Sequence, residues 1–274
     1  NVDVDEFGTN YHNYYIARLT KDFLAGSSYL GVTTTKFENK NKESSIFSLD
    51  GYFYLLNNSL YIDSQIAQSH TIFNNKQILG NGLFFEIDYS IPNLIQSTFT
   101  TEYYSDDFNI NDIGYLIRNN ILSIENLTSY TNDRSFTNAG IREFKIIFNY
   151  KYAKNSNSVV ILNKLGFKFS PLFNNYSWFD IKYNKSFKSF DDRLYDFTSD
   201  SLFLDQVGRI PSKQNFSFVF GNDPESKIYY DITLEYESSD IGDKNNLYYL
   251  IIGSNMSEDS DFSVSYSRSS GHEK

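Results

Sequence analysis

The chain has 274 residues, 40% hydrophobic and 18% aromatic, with a formal net charge of -10. That charge argues against a nucleic-acid partner, because phosphate contact calls for a basic face, and the absence of cysteine excludes disulfides and thiolate metal sites. No apolar run approaches the roughly 18–20 residues of a membrane helix, and the acidic opening Asn1 to Glu6 is no signal peptide.

The 25 Phe and 23 Tyr suit strands better than helices, and period-2 alternation runs through the whole chain. In chain order, strands are expected near residues 11–23, 28–38 and 45–56. Leu60, Ile62 and Ile66 then oppose Tyr61, Asp63 and Gln65. Over 83–90, Phe85, Ile87 and Tyr89 oppose Glu86 and Asp88. Strands near 94–104 and 117–131 follow. Over 143–152, Phe144, Ile146, Phe148, Tyr150 and Tyr152 oppose Glu143, Lys145, Asn149 and Lys151. After strands near 157–169 and 176–187, Phe216, Phe218 and Phe220 oppose Asn215 and Ser217. The clearest segment is 227–237, where Ile228, Tyr230, Ile232, Leu234 and Tyr236 oppose Lys227, Tyr229, Asp231, Thr233, Glu235 and Glu237. A strand near 245–254 precedes Phe262, Val264 and Tyr266, which oppose three serines.

Turn signals separate these segments at 25–27, 57–58, 91–93, 155–157, 222–224 and 242–244. The longest stretch without pattern, 190–211, is the best candidate for an external loop. About fourteen strands of roughly 9–12 residues match what a tilted membrane strand needs. The mean hydropathy of -0.45 reads as soluble, yet an alternating membrane barrel has the same unremarkable average. A soluble β-sandwich also alternates. Long strands, with Tyr at their ends (Tyr11, Tyr14, Tyr15; Tyr103, Tyr104; Tyr248, Tyr249), favour an antiparallel transmembrane β-barrel. No composition break divides the chain, so residues 1–274 read as one barrel domain.

Candidate chemistry is sparse. His12, His70 and His272 stand far apart in no metal-binding spacing. No Gly-x-Ser-x-Gly elbow is present, and His70 with Ser69 or Ser64 is the only local Ser–His combination. Glu86 and Asp88 on one strand face have the spacing of paired acid–base carboxylates, but in a barrel that face is the lumen. The same lumen reading holds for Lys164, Lys168, Asp231, Glu235 and Glu237, charges that tune a pore or cross-link a plugged interior. Asp106, Asp107, Asn109, Asn111 and Asp112 place oxygens at near-alternate positions, but the glycine and closing glutamate of a calcium loop are missing. They read as a structured connection, with Arg118 pairing to one of its carboxylates.

Two sets of residues carry a resemblance. The first is Asn13-Tyr14, Arg18-Leu19, Asp22-Phe23, Ser28 and Gly31. The second is Asp107-Phe108-Asn109, Gly114-Tyr115 and Arg118-Asn119, with Tyr115 where Phe is usual. In these motifs and their spacing the chain resembles a bacterial outer-membrane β-barrel family of unknown function. Members of that family place the barrel after a family-nine-like carbohydrate-binding module. The motif residues are Asn13, Arg18, Asp22, Asp107, Phe108, Asn109, Gly114 and Arg118. Beyond residue 145 the likeness rests on barrel pattern alone.

The resemblance implies the outer membrane of a Gram-negative bacterium as location. It implies membrane lipid and the barrel-assembly machinery as partners, and a carbohydrate-binding module upstream in the same chain. That module is missing here, and the closing residues 269–274 lack the terminal aromatic strand of a complete barrel, so an internal piece, incomplete at both ends, is expected. The expected function is a channel or membrane-anchored scaffold linked to carbohydrate binding or uptake, without a cofactor. The alternatives are an outer-membrane hydrolase with a loop or barrel-wall site, and a soluble all-β binding module.

Overall fold

A computed structural model describes residues 12–112, 114, 116, 118–133, 140–191, 208–223, 225–257 and 260–272. Tyr11, Tyr115 and residues 192–207, which make up most of the expected external loop, lie outside the described residues. The strands are β1 (Asn13–Phe23), β2 (Ser28–Glu38), β3 (Lys42–Leu55), β4 (Leu60–Phe73), β5 (Lys76–Ile91), β6 (Ile95–Tyr104), β7 (Ile121–Asn132) and β8 (Ile141–Lys154). They continue with β9 (Val160–Phe173), β10 (Trp178–Ser186), β11 (Ser189–Phe190), β12 (Arg209–Ile210), β13 (Lys213–Gly221), β14 (Ile228–Ser239), β15 (Lys244–Ser257) and β16 (Ser260–His272). Fourteen of them form one antiparallel sheet in chain order from β1 to β16, and β11 pairs only with β12. The sheet is not closed: β1 and β16 stand at the two ends of the order.

Asparagine makes many of the tight connections. Asn74 and Asn75, with φ of 50° and 62°, join β4 to β5 in a two-residue hairpin, the left-handed pair that matches strand twist. Leu56, Asn57 and Asn58 also have positive φ between β3 and β4. The Asn74–Asn75 hairpin corrects the sequence reading: β4 runs on to Phe73 and β5 begins at Lys76, well outside the alternating cores at 60–66 and 83–90. The pattern fades there because Ala67, Gly80 and Gly82 supply neither a polar nor a large apolar side chain. A second correction concerns 117–131, since β7 begins only at Ile121.

Two compact units divide the chain. The first comprises residues 1–90, 98–125 and 153–159; the second comprises 91–97, 126–152 and 160–274. In the first, the register runs Arg18, Thr33, Ser48, Ala67, Gly82 across β1 to β5. Directly paired residues share a face and successive residues alternate. One face therefore carries Arg18, Gly31, Thr33, Thr35, Ser44, Ser48, Asp50, Asp63, Ser69, Glu86 and Asp88. The opposite face carries Leu19, Leu30, Val32, Phe47, Leu49, Ile62, Ile66, Leu83, Phe85 and Ile87. This apolar face reaches Lys36, which pairs with Glu38 and Glu43 beside the β2–β3 turn.

The second unit repeats the division. Its register runs Lys168, Lys182, Ser217, Glu235, Leu247 from β9 to β15. That face also holds Lys164, Asp180, Asp231, Thr233 and Glu237. The opposite face holds Phe167, Phe169, Phe179, Ile181, Phe216, Phe218, Ile232, Leu234, Leu250 and Ile252. Ring contacts tie Phe144 to Phe169, Phe169 to Phe179 and Phe179 to Phe218 along it.

Burial falls on the unexpected side. Ile66 on β4 is 59% exposed and Ile252 on β15 is 51% exposed, although both strands are paired along both edges. Among the described residues the buried hydrophobic side chains are Phe37, Phe108 and Ala153. Phe37 lies on the polar face of the first unit, and Phe108 is packed against that face. Ser44, Ser48, Ser69 and Thr71 are buried on it too.

Candidate functional site

Part of the polar face of the first unit is covered by the connection between β6 and β7, of which residues 105–112, 114, 116 and 118–120 are described. Phe108 is its anchor, only 3% exposed. Its ring stacks on Tyr104, with centroids 5.3 Å apart and planes 10° from parallel. Gly80 and Gly82 make the seat. A Cβ at Gly80 would overlap the backbone of Asp107 and Phe108, and one at Gly82 would lie 2.8 Å from the Phe108 ring. A pair of glycines two apart in a strand leaves one face bare, which permits close approach by another backbone.

Polar fasteners surround the anchor. Lys42 Nζ donates to Asp112 Oδ1 at 2.8 Å and Ser44 Oγ donates to Asp112 Oδ2 at 2.7 Å. The Asn109 amide donates to Ser69 Oγ at 3.1 Å. Within the connection, Asn109 Oδ1 accepts from the Asn111 amide at 2.9 Å and Asn111 Oδ1 accepts from the Leu116 amide at 2.8 Å. These oxygens, candidate cation ligands by their spacing, thus close the loop on its own amides. At the base, the Ser105 amide bonds Asn81 O at 3.0 Å, and Ser156 Oγ donates to Asp106 Oδ2 at 3.1 Å. Arg118 lies half-buried in the same connection. A cavity of about 310 Å³ remains between connection and sheet, lined by Thr33, Thr35, Ser48, Gln65, Tyr104 and Phe108 among others.

The two resemblance motifs therefore play different parts. Asp107, Phe108, Asn109, Gly114 and Arg118 all belong to the seated connection. Arg18 and Asp22 share the polar face of β1, while Asn13 lies on the other face opposite Glu38. Arg18 makes a fork to Asp50, at 3.0 and 2.5 Å, and also donates to Thr33 Oγ1 at 2.7 Å and Tyr29 Oη at 3.3 Å. Such bidentate pairs fix geometry as well as charge. Gly31 clears the space: a Cβ there would lie 2.9 Å from Arg18 Nη2. Sequence reasoning missed Asp50, Tyr29, Lys42, Gly80 and Gly82. Only the glycine pair had a legible signal, its spacing of two inside a strand.

Glu86 lies directly opposite Asp63, and Asp88 opposite Tyr61. Thr100 Oγ1 donates to Glu86 Oε2 at 3.1 Å, and Tyr61 Oη to Asp63 Oδ2 at 3.2 Å. The rings of Tyr29, Tyr52, Tyr54 and Tyr61 pack beside them. In the second unit Lys168 faces Lys182 directly, a repulsive pairing, and Asp180 offsets it through a 2.6 Å contact with Lys168. Ser217 Oγ donates to Glu235 at 3.4 Å, Thr233 Oγ1 to Asp231 at 3.3 Å, and Lys213 lies 3.8 Å from Glu237. Lys164 is exposed opposite Ser186.

The Ser–His combination does not assemble. Ser69 and His70 point to opposite faces of β4. Ser64 shares the face of His70 but lies six residues along one strand, roughly 20 Å away at about 3.3 Å per residue.

The family described as "Domain of unknown function (DUF5916)" matches residues 4–274. No curated protein matches the chain.

Proposed function

The chain belongs to this DUF5916 family, and from that premise we propose that it is a β-barrel of the bacterial outer membrane that acts as a channel or a membrane-anchored scaffold. Its apolar face meets lipid and its polar face an interior. The observation that carries this reading is the side on which side chains are buried. A soluble sandwich hides its apolar face under a second layer. Here Ile66 and Ile252 are exposed on doubly paired strands, while Phe37, Ser48, Ser69 and Phe108 are buried on the polar side of the first unit. Lipid is the surrounding in which such an apolar face is at rest, and strands of this length span it. The reading requires partners for the outer edges of β1 and β16, since unpaired backbone groups are not tolerated in hydrocarbon.

Mixed charges on the polar faces suit an aqueous interior. Uptake of carbohydrate-derived solutes follows from the resemblance alone, through the module that its members carry upstream. The full-length protein tests the proposal. In cell fractionation it should enter the outer membrane, need detergent for extraction and migrate differently on a gel before and after boiling. Reconstituted in planar bilayers, it should give either steady ohmic steps or a silent, folded barrel. Extraction in buffer alone, with no boiling-dependent shift, would overturn the proposal.

A further inference from the structure

We infer that the 105–120 connection is a constriction loop, so that Phe108 and the residues around it, and not the strands alone, set the passage along the polar face of β2–β5. This rests on the barrel reading. Three independent features show a seat built for the loop. The sheet offers a row of small side chains on that face, Ser48, Ala67 and Gly82, with Ser69 and Gly80 in the next row. The backbone at Asp107 and Phe108 lies where a Cβ at Gly80 would be, so the fit depends on glycine. Lys42 and Ser44 of β3 hold Asp112, a charged fastener beyond the aromatic anchor.

A loop merely draped over a strand end would leave its aromatic residue exposed, as surface connections are. Phe108 is instead among the most buried side chains described, and the sheet accepts hydrogen bonds on both sides of it. Ser69 accepts from the Asn109 amide, and the Ser105 amide donates to Asn81 O. In a water-filled lumen, a segment fastened in this way fills cross-section that strand number would otherwise leave open. Pore radius and the groups lining its narrowest point decide what passes, so the size limit for solutes would be set here.

These 274 residues contain no cysteine, so once any cysteine elsewhere in the full-length protein is replaced, an introduced pair reports cross-linking on a clean background. In the full-length protein, Ser44→Cys with Asp112→Cys should cross-link, directly or through a short bis-thiol reagent, and show as a faster band on a non-reducing gel. Replacing residues 108–116 by a short Gly-Ser bridge should raise single-channel conductance severalfold, or open a parent barrel that is silent. Where the excision blocks folding, Lys42→Met with Phe108→Ala replaces it and should give a smaller rise with flickering currents. A folded barrel whose cysteines do not cross-link, or whose conductance is unmoved by the loop variants, overturns the inference. Failure of the membrane reading would look different: the protein would extract without detergent, while the cross-link would still form.

Discussion

The polar faces of β2–β5 and of β9–β14 are built from different materials. In the first, Ser48, Ala67, Ser69, Gly80 and Gly82 keep part of the sheet surface low and another stretch of backbone lies on it, with Asp50, Asp63, Glu86 and Asp88 farther along the same face. In the second, long charged side chains stand on the sheet itself, and Lys168, Asp180, Lys213 and Glu237 interact across neighbouring strands. The difference shows two ways of satisfying a polar sheet face. One is to seat a loop, which concentrates stability in a few close contacts. The other is to spread charge pairs, each worth little, over several strands. On the opposite face the two regions are alike, each presenting large apolar side chains such as Ile66 and Ile252 that are more than half exposed.

The largest effect should come from the face the regions share. Leu234→Arg places a charge among exposed apolar side chains and, if that face meets lipid as proposed, should cost about 2–4 kcal/mol. The neighbouring Thr233→Arg, on the polar face, should be tolerated. Both are read by the fraction of protein that keeps its boiling-dependent gel shift. Next, Gly80→Val should overfill the seat of Phe108 at a cost of about 1–3 kcal/mol. Limited proteolysis should then cut within 105–120, while β14 remains protected.

Smaller again is the effect at the Arg18–Asp50 fork. Arg18→Lys keeps the charge but loses the two parallel hydrogen bonds, so the temperature at which the gel shift is lost should fall. Asp50→Asn should lower it by a similar amount, and the double variant should add little to either. The smallest effect is expected from Lys168→Met, roughly 0.2–1 kcal/mol for a half-exposed pair, measured as a shift in the urea midpoint. A large loss there would mean that the second region also depends on a few contacts, and the contrast would fail.

Much of the sheet was legible in the sequence because alternation is a local property. Segments such as 227–237 and 143–152 carry a large apolar residue at every second position, and β14 and β8 lie there. The lumen candidates Asp231, Glu235 and Glu237 share one face for the same reason. The pattern failed where the polar face had to stay low, at Ala67, Gly80 and Gly82, so the ends of β4 and β5 and the hairpin at Asn74–Asn75 were missed. The site was less legible still. Asp107-Phe108-Asn109 stood out as a motif, but nothing local to it names Gly80, 28 residues earlier, or Lys42 as its seat. Those contacts come from strand register, which sequence period alone does not set. Likewise, Arg18 was singled out without Asp50, a partner two strands away.

Whether the two faces meet different solvents can be measured along one strand. Single cysteines at 230 to 235 of the full-length protein, with any cysteine outside these 274 residues replaced, labelled with an environment-sensitive fluorophore in lipid vesicles, report that directly. Period-2 behaviour is expected: positions 230, 232 and 234 blue-shifted and quenched by lipid-soluble agents, and positions 231, 233 and 235 quenched by aqueous ones. Aqueous quenching at all six positions, or no period at all, would contradict it.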